Sequence, residues 1–343
     1  MRRRALLALT AASALTPCVA GAQLARPRFY AKGTKQRAVR FTGSERAELS
    51  GTLLLPIWSE LEKVPGAVLV SGSGPTDRDG NNALVPERID LLKQIAQLLA
   101  EVGIASLRYD KRGIGASTQK PHGSITELER FFSWENFVGD VVAAHVELMK
   151  HDEIKSYATA LLGHSEGGLL VLAAAPAIAK NPPHAMVLVA TPGRKLADIL
   201  RVQIGRGAPN LLGAAGRAIA AIEATGHVPA DLPRELGALF PPYAGPFLQQ
   251  LLAFDPAQAL AASRLPCLLL QGAADRQIVP MDDVQPLIDA LGNRDAPGEA
   301  VIIPAASHNL KVAPWPTDAG FTGPIAPAAA TKLTSWMKQV LGA

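Results

Sequence analysis

After a polar, proline-containing stretch at residues 23–36, short apolar runs alternate with longer segments whose apolar residues recur every three or four positions. The runs Ala38–Phe41, Leu49–Pro56, Gly66–Ser71, Ile104–Asp110, Ser156–Gly163, Ala185–Ala190, Pro266–Gln271 and Ala300–Pro304 predict strands. The segments Glu87–Val102, Thr126–Lys150, Glu166–Lys180, Met281–Leu291 and Ala328–Leu341 predict helices. Strands alternating with helices predict an α/β fold with a mostly parallel eight-stranded sheet and helices on both faces. The first two strands read as a hairpin, and the later ones as parallel neighbours. Residues 194–263 break the alternation: they are dense in Ala, Leu, Gly and Pro, with helical patches at Leu211–Ala224 and Pro246–Phe254. A structureless loop of that length is improbable in a compact domain. The stretch reads instead as a helical cap insertion that divides the core into residues 37–193 and 264–343.

The N-terminus follows a different logic. Arg2, Arg3 and Arg4 form a positive n-region, Ala5–Leu15 is apolar, and Ala20-Gly21-Ala22 supplies a small-residue cleavage pattern. Residues 1–22 therefore read as a signal peptide, followed by an N-terminal extension at 23–36, which predicts a periplasmic or extracellular protein. A twin-arginine signal and a lipoprotein leader are the alternatives; the latter fits poorly because Pro17 precedes Cys18.

Cleavage changes the charge picture. The full chain of 343 residues has a formal charge of +4, but the mature chain would carry 31 basic against 30 acidic residues, or +1. No clustered basic footprint for nucleic acid is left. No other segment is long enough and apolar enough to span a bilayer. With 48% apolar residues the chain can bury a large core, which excludes disorder over its length. Two cysteines in no CxxC pattern point away from zinc and redox chemistry.

The candidate chemistry centres on Gly163-His164-Ser165-Glu166-Gly167, preceded by a predicted strand and followed by a predicted helix. That context is a nucleophile elbow: a sharp strand-to-helix turn lifts the Ser165 hydroxyl to the carboxyl edge of the sheet. The N–H of Glu166, at the helix start, then points where an oxyanion would form. A serine hydroxyl needs a base, and the base needs an acid to orient it. In this architecture the acid and then the histidine follow the serine along the chain. Of seven histidines, His308 alone follows a strand well beyond the elbow, through Ala305-Ala306-Ser307. Asp275, just past Leu268–Leu270, is the candidate acid, with Asp282 and Asp283 as competitors in the following helix. The glycine-rich loop from Ser71 to Gly80 offers the N–H of Ser73 as second oxyanion donor. Asp77, Asp79 and Asn81 within it start like a calcium loop, but Asn82 and Arg88 stand where glycine and glutamate are required. The SxxK matches at Ser117 and Ser335 lack the companion motifs of serine–lysine enzymes.

Together with Arg108-Tyr109-Asp110-Lys111-Arg112-Gly113-Ile114-Gly115-Ala116-Ser117, these segments resemble the α/β-hydrolases, and more narrowly bacterial serine esterases and S33-type hydrolases. The resemblance implies the α/β-hydrolase fold, a Ser165-Asp275-His308 triad with no cofactor or metal, and a supporting role for 108–117 beneath the oxyanion loop. Serine at the elbow departs from dehalogenases and epoxide hydrolases, which need aspartate there. The expected function is hydrolysis of small carboxylic esters with an apolar acyl group through an acyl-enzyme. A peptidase or amidase using the same residues is the alternative, and a non-catalytic binding protein on the same scaffold is the third reading.

Overall fold

The computed structural model describes residues 33–343 apart from 61, 122, 316 and 317. The predicted signal peptide, Cys18 and most of the 23–36 extension lie outside the described residues. The strands β1 (Thr34–Thr42), β2 (Glu48–Pro56), β3 (Val64–Val70), β4 (Ala105–Tyr109), β5 (Ile154–His164), β6 (Ala185–Val189), β7 (Cys267–Gly272) and β8 (Gly298–Ile303) form one sheet in the order β1-β2-β4-β3-β5-β6-β7-β8. The hairpin pairs Thr34 with Pro56 through Thr42 with Glu48. β2 runs antiparallel to β4, and from β4 onward every pairing is parallel. All seven residues of β3 are buried, as a strand covered by helices on both faces must be.

Two apolar layers cover the sheet. On one face α1 (Leu91–Glu101) and α10 (Pro327–Leu341) bury Leu92, Ile95, Leu99, Leu333 and Met337 against Leu69, Leu162 and Leu268. On the other, α3 (Trp134–Met149) and α4 (Glu166–Ala174) bury Val141, Leu148, Leu170 and Val171 against Val68, Leu161 and Met186. Between β6 and β7 the chain forms four helices: α5 (Leu196–Gly207), α6 (Leu212–Thr225), α7 (Gly245–Ala253) and α8 (Pro256–Ala262). Aromatic rings join this insertion to the core, with Phe132 5.3 Å from Tyr243 and Phe137 5.3 Å from Phe247 between centroids.

Three predicted helices differ from those observed. The continuous helix expected over Thr126–Lys150 is two, α2 (Ile125–Phe131) and α3. The Ser133 hydroxyl caps α3 by accepting from the Asn136 N–H. Arg112 donates to the Phe131 carbonyl at 2.8 Å, removing an acceptor that a continuous helix would use. Arg112 is also fork-bonded to Asp140 at 2.7 Å through both Nε and Nη2, with both side chains buried. The interruption thus anchors α2 and α3 to the loop after β4. α4 gives way to a 3₁₀ turn at Ala175–Ala177 instead of running to Lys180, since Pro176 has no N–H to donate. The segment expected as helix from Met281 opens with a π turn at Pro280–Val284 before α9 (Gln285–Gly292).

Candidate active site

The carboxyl ends of β3, β5, β7 and β8 carry the candidate residues to one edge of the sheet. Ser165 sits between β5 and α4 at φ 54°, ψ −122°, a conformation that costs a non-glycine residue about 1–3 kcal/mol. Its N–H donates to the Val189 carbonyl at 2.8 Å, which holds the turn against β6. The flanking glycines are dictated by contact. A Cβ on Gly163 would collide with the Gly167 carbonyl, and one on Gly167 with the carbonyls of Val70 and Ser71. The elbow is thereby pressed onto the end of β3. A Cβ on Gly72 would stand 3.4 Å from the Ser165 Cβ, so the loop after β3 lies directly beside Ser165.

That loop is held by its own hydrogen bonds. Thr76 Oγ1 donates to the Ser73 carbonyl at 2.7 Å, and Ser71 Oγ to the Thr76 carbonyl at 3.3 Å. No hydrogen bond within the described residues engages the Ser73 N–H. The Glu166 N–H, first in α4, has no intrahelical acceptor. Further along, Arg78 donates to Asp110 at 2.6 Å through Nη2 and 2.7 Å through its backbone, while Arg108 Nε donates to Asp79 at 2.8 Å. Arg78, Asp79, Arg108 and Asp110 are spent on this bracing. Asp77 accepts the N–H groups of Asp79 and Asn81 at 2.9 Å each, closing the turn that resembled a calcium loop. Ser117 donates to the Asp110 carbonyl at 2.8 Å and accepts from the Ser50 N–H at 2.9 Å, a bracing position rather than a nucleophile's.

Asp275 and His308 come together from the ends of β7 and β8, with Nδ1 2.7 Å from Asp275 Oδ2. Both are buried. The other contacts of the carboxylate are satisfied in full: Oδ1 accepts the N–H groups of Gln277 at 2.8 Å and Ile278 at 2.9 Å, and Oδ2 accepts Gln271 Nε2 at 2.9 Å. Burial pushes the Asp275 pKa up, but the His308 charge and these hydrogen bonds outweigh it and hold the carboxyl below its usual range. The acceptor faces Nδ1, so the proton sits there and Nε2 is left free to accept. No hydrogen bond joins His308 to Ser165; the histidine loop instead docks on the elbow through His164. The two imidazoles lie 4.8 Å apart between centroids, and His164 Nε2 donates to the His308 carbonyl at 3.0 Å.

The competing acids have other partners. Asp283 is ion-paired with Arg194 and accepts the Val279 N–H at 2.7 Å, and Asp282 faces Arg206 at 4.0 Å.

The family model for serine aminopeptidase, S33, matches residues 86–232, a span that contains the elbow and ends before Asp275. No curated protein is a match to the chain. Among solved structures, Est1E from Butyrivibrio proteoclasticus is 15% identical over 89% of this chain and 99% of its own, with a TM-score of 0.54. An acetyl xylan esterase from Paenibacillus sp. R4 is 15% identical over 92% of this chain and 86% of its own, with a TM-score of 0.57. The Pyrococcus horikoshii acylaminoacyl peptidase is 15% identical over 90% of this chain and 42% of its own, with a TM-score of 0.58. The chain has the α/β-hydrolase fold.

In this fold several buried polar residues around the candidate site carry no sequence signal. His164 fills a variable position of the elbow, and burial together with the nearby His308 charge pushes its pKa down to about 3, so it stays a neutral donor to the His308 carbonyl. Gln271, the penultimate residue of β7, orients Asp275 and reaches the Ile278 carbonyl at 3.0 Å. Cys267 is buried on β7, where burial pushes its thiol up to about 12 and leaves it unreactive.

Lys311 anchors the far side of the histidine loop. Its carbonyl accepts the Ser307 N–H at 2.8 Å, and its fully buried Nζ donates to the Gly323 carbonyl at 2.8 Å. Burial pushes its pKa down to about 8, against a smaller opposing pull from Asp90. Between that value and the ordinary lysine pKa of roughly 10.4, the unfolded chain binds a proton the folded chain lacks. Folding stability therefore rises with pH across this window. The wild type is expected to gain thermal stability relative to Lys311→Met between pH 7.5 and 10; parallel melting curves for the two proteins would contradict it.

Proposed function

We propose that this α/β-hydrolase is an exported serine esterase acting through Ser165, His308 and Asp275. The observation that carries the reading is the buried His308–Asp275 pair, 2.7 Å apart, whose histidine loop docks through His164 on an elbow that holds Ser165 in strained backbone at a helix start. His308 Nε2 takes the Ser165 proton as Oγ attacks the ester carbonyl. The Ser73 and Glu166 N–H groups receive the oxyanion. The imidazolium formed is stabilised by Asp275 and returns its proton to the departing alcohol. Water then enters by the same route in reverse and releases the acid.

The acyl group is apolar in this reading. Half-buried Phe137 approaches Lys111, the ion-pair partner of Glu166, and leads to Phe132, Tyr243 and Phe247 at the border with the insertion. Esterases among the solved relatives, including Est1E with bound ferulic acid, support an ester substrate. A peptidase or amidase built on the same residues is the second reading, favoured by the match to the serine aminopeptidase family.

Assays of the chain from Gln23 onward against p-nitrophenyl esters of increasing acyl length and a panel of aminoacyl-anilides separate the two. Ester turnover that is lost in Ser165→Ala is the expected result. Turnover of anilides alone would establish the peptidase, and silence on both with no fluorophosphonate labelling of Ser165 would sink the hydrolase mechanism. Export implies that the mature chain begins at Gln23, which the intact mass of the protein recovered from the periplasm or medium checks.

A further inference from the structure

Lys111 takes no part in the steps above, yet it joins the two segments assigned to the oxyanion. Lying just past β4, its side chain is 4% exposed. Nζ donates to the Gly72 carbonyl at 2.6 Å and to Glu166 Oε1 at 2.9 Å, and lies 5.9 Å from the Phe137 ring centroid.

The first of these contacts falls on a particular peptide group. The Gly72 carbonyl and the Ser73 N–H belong to one planar trans unit and point in opposite directions. Fixing the carbonyl therefore fixes the direction of the N–H. A cation on the carbonyl oxygen also polarises the amide and strengthens its N–H as a donor. The second contact reaches the residue that supplies the other donor. With its carboxylate engaged by Lys111, Glu166 presents its N–H to the site while its negative charge is balanced by the adjacent ammonium.

We propose that Lys111 is a positioning residue for acyl transfer, orienting and polarising the Gly72–Ser73 peptide and tying it to the start of α4 so that the Ser73 and Glu166 amides converge on the oxyanion; the inference rests on the serine-hydrolase reading. Lys111 stabilises the tetrahedral state through those amides and touches no reacting atom.

The test compares Lys111→Met with the wild type in the chain from Gln23 onward. Fluorophosphonate labelling at endpoint counts competent Ser165, and kcat is expressed per labelled site. Loss of an oriented oxyanion donor costs on the order of 10²–10³ in kcat. The expected result is full labelling at endpoint, slowed labelling, a kcat on p-nitrophenyl butyrate lowered by about that factor, and KM little changed. A kcat per site equal to the wild type would overturn the proposal, whether or not the melting temperature falls, because a merely structural lysine lowers the number of active molecules and not their rate.

If Lys111→Met does not fold, Lys111→Gln keeps a donor without the charge. It is expected to lose kcat per site at unchanged KM, and wild-type kcat there would equally overturn the proposal. Glu166→Gln, which retains the Gly72 contact, is expected to lose less than Lys111→Met; the reverse order would assign the effect to the carboxylate and overturn the role of the Gly72 peptide. Absence of labelling and turnover in the wild type would instead defeat the serine-hydrolase reading itself, and this inference with it.

Discussion

Ser165→Ala is expected to lower ester turnover by roughly four orders of magnitude or more while leaving the melting temperature unchanged. The loss is large because nucleophile, base and acid act as a unit, and removing one leaves only what the oxyanion donors and binding contribute. The unchanged stability follows from the backbone. Alanine keeps a Cβ at φ 54°, ψ −122°, so it inherits the strain of the native serine. Ser165→Gly should be equally inactive but more stable by about 1 kcal/mol, because glycine enters that region without the steric cost. Kinetics with p-nitrophenyl esters and thermal melts of both variants check the pair. Residual turnover near wild type in a folded Ser165→Ala protein would reject the nucleophile.

Asp275→Asn should be nearly as damaging to turnover, on the order of 10⁴-fold, and damaging to stability as well. Each carboxylate oxygen faces donors: the Gln277 and Ile278 N–H groups on one, Gln271 Nε2 and His308 Nδ1 on the other. An amide presents an NH₂ to one of these sets and sets donor against donor. If that set includes His308, the imidazole is driven to the wrong tautomer and Nε2 can no longer accept the serine proton.

The pH dependence of stability has a definite sign. The native carboxyl is held below its ordinary range, so its contribution is present above that range and fades as pH falls through the native value. Asp275→Asn should lack this acid-side loss. Turnover and melting temperature as functions of pH test both statements. An Asp275→Asn variant with nearly native kcat would transfer the role of acid to Asp282 or Asp283.

The parts of the fold visible in the sequence are those set by neighbours along the chain. Continuous apolar runs mark β3, β5 and β7 because both faces of each are covered. Gly163 and Gly167 mark the elbow because any side chain there would strike backbone. Asp275 and His308 stand out by chain order, and their loops meet at 2.7 Å.

What the sequence conceals depends on residues remote from one another. The antiparallel seam between β2 and β4 joins strands that a third separates in sequence. The break between α2 and α3 is hidden because apolar spacing continues through it. The capping Ser133 and the reach of Arg112 to Phe131 become apparent only when the loop after β4 is in place. Lys111, His164 and Gln271 share that obscurity, since their partners are carbonyls or side chains brought near by the sheet.

The strand order has a consequence for the birth of the molecule. The proposed nucleophile and the two proposed oxyanion amides belong to the first half of the chain, whereas the proposed acid follows β7 and the proposed base follows β8, which among the described residues pairs with β7 alone. A nascent or truncated chain can thus assemble an elbow and still have no means of deprotonating its serine. Under the proposed mechanism competence arrives with the last strand, so the appearance of turnover during refolding is expected to time the docking of that edge.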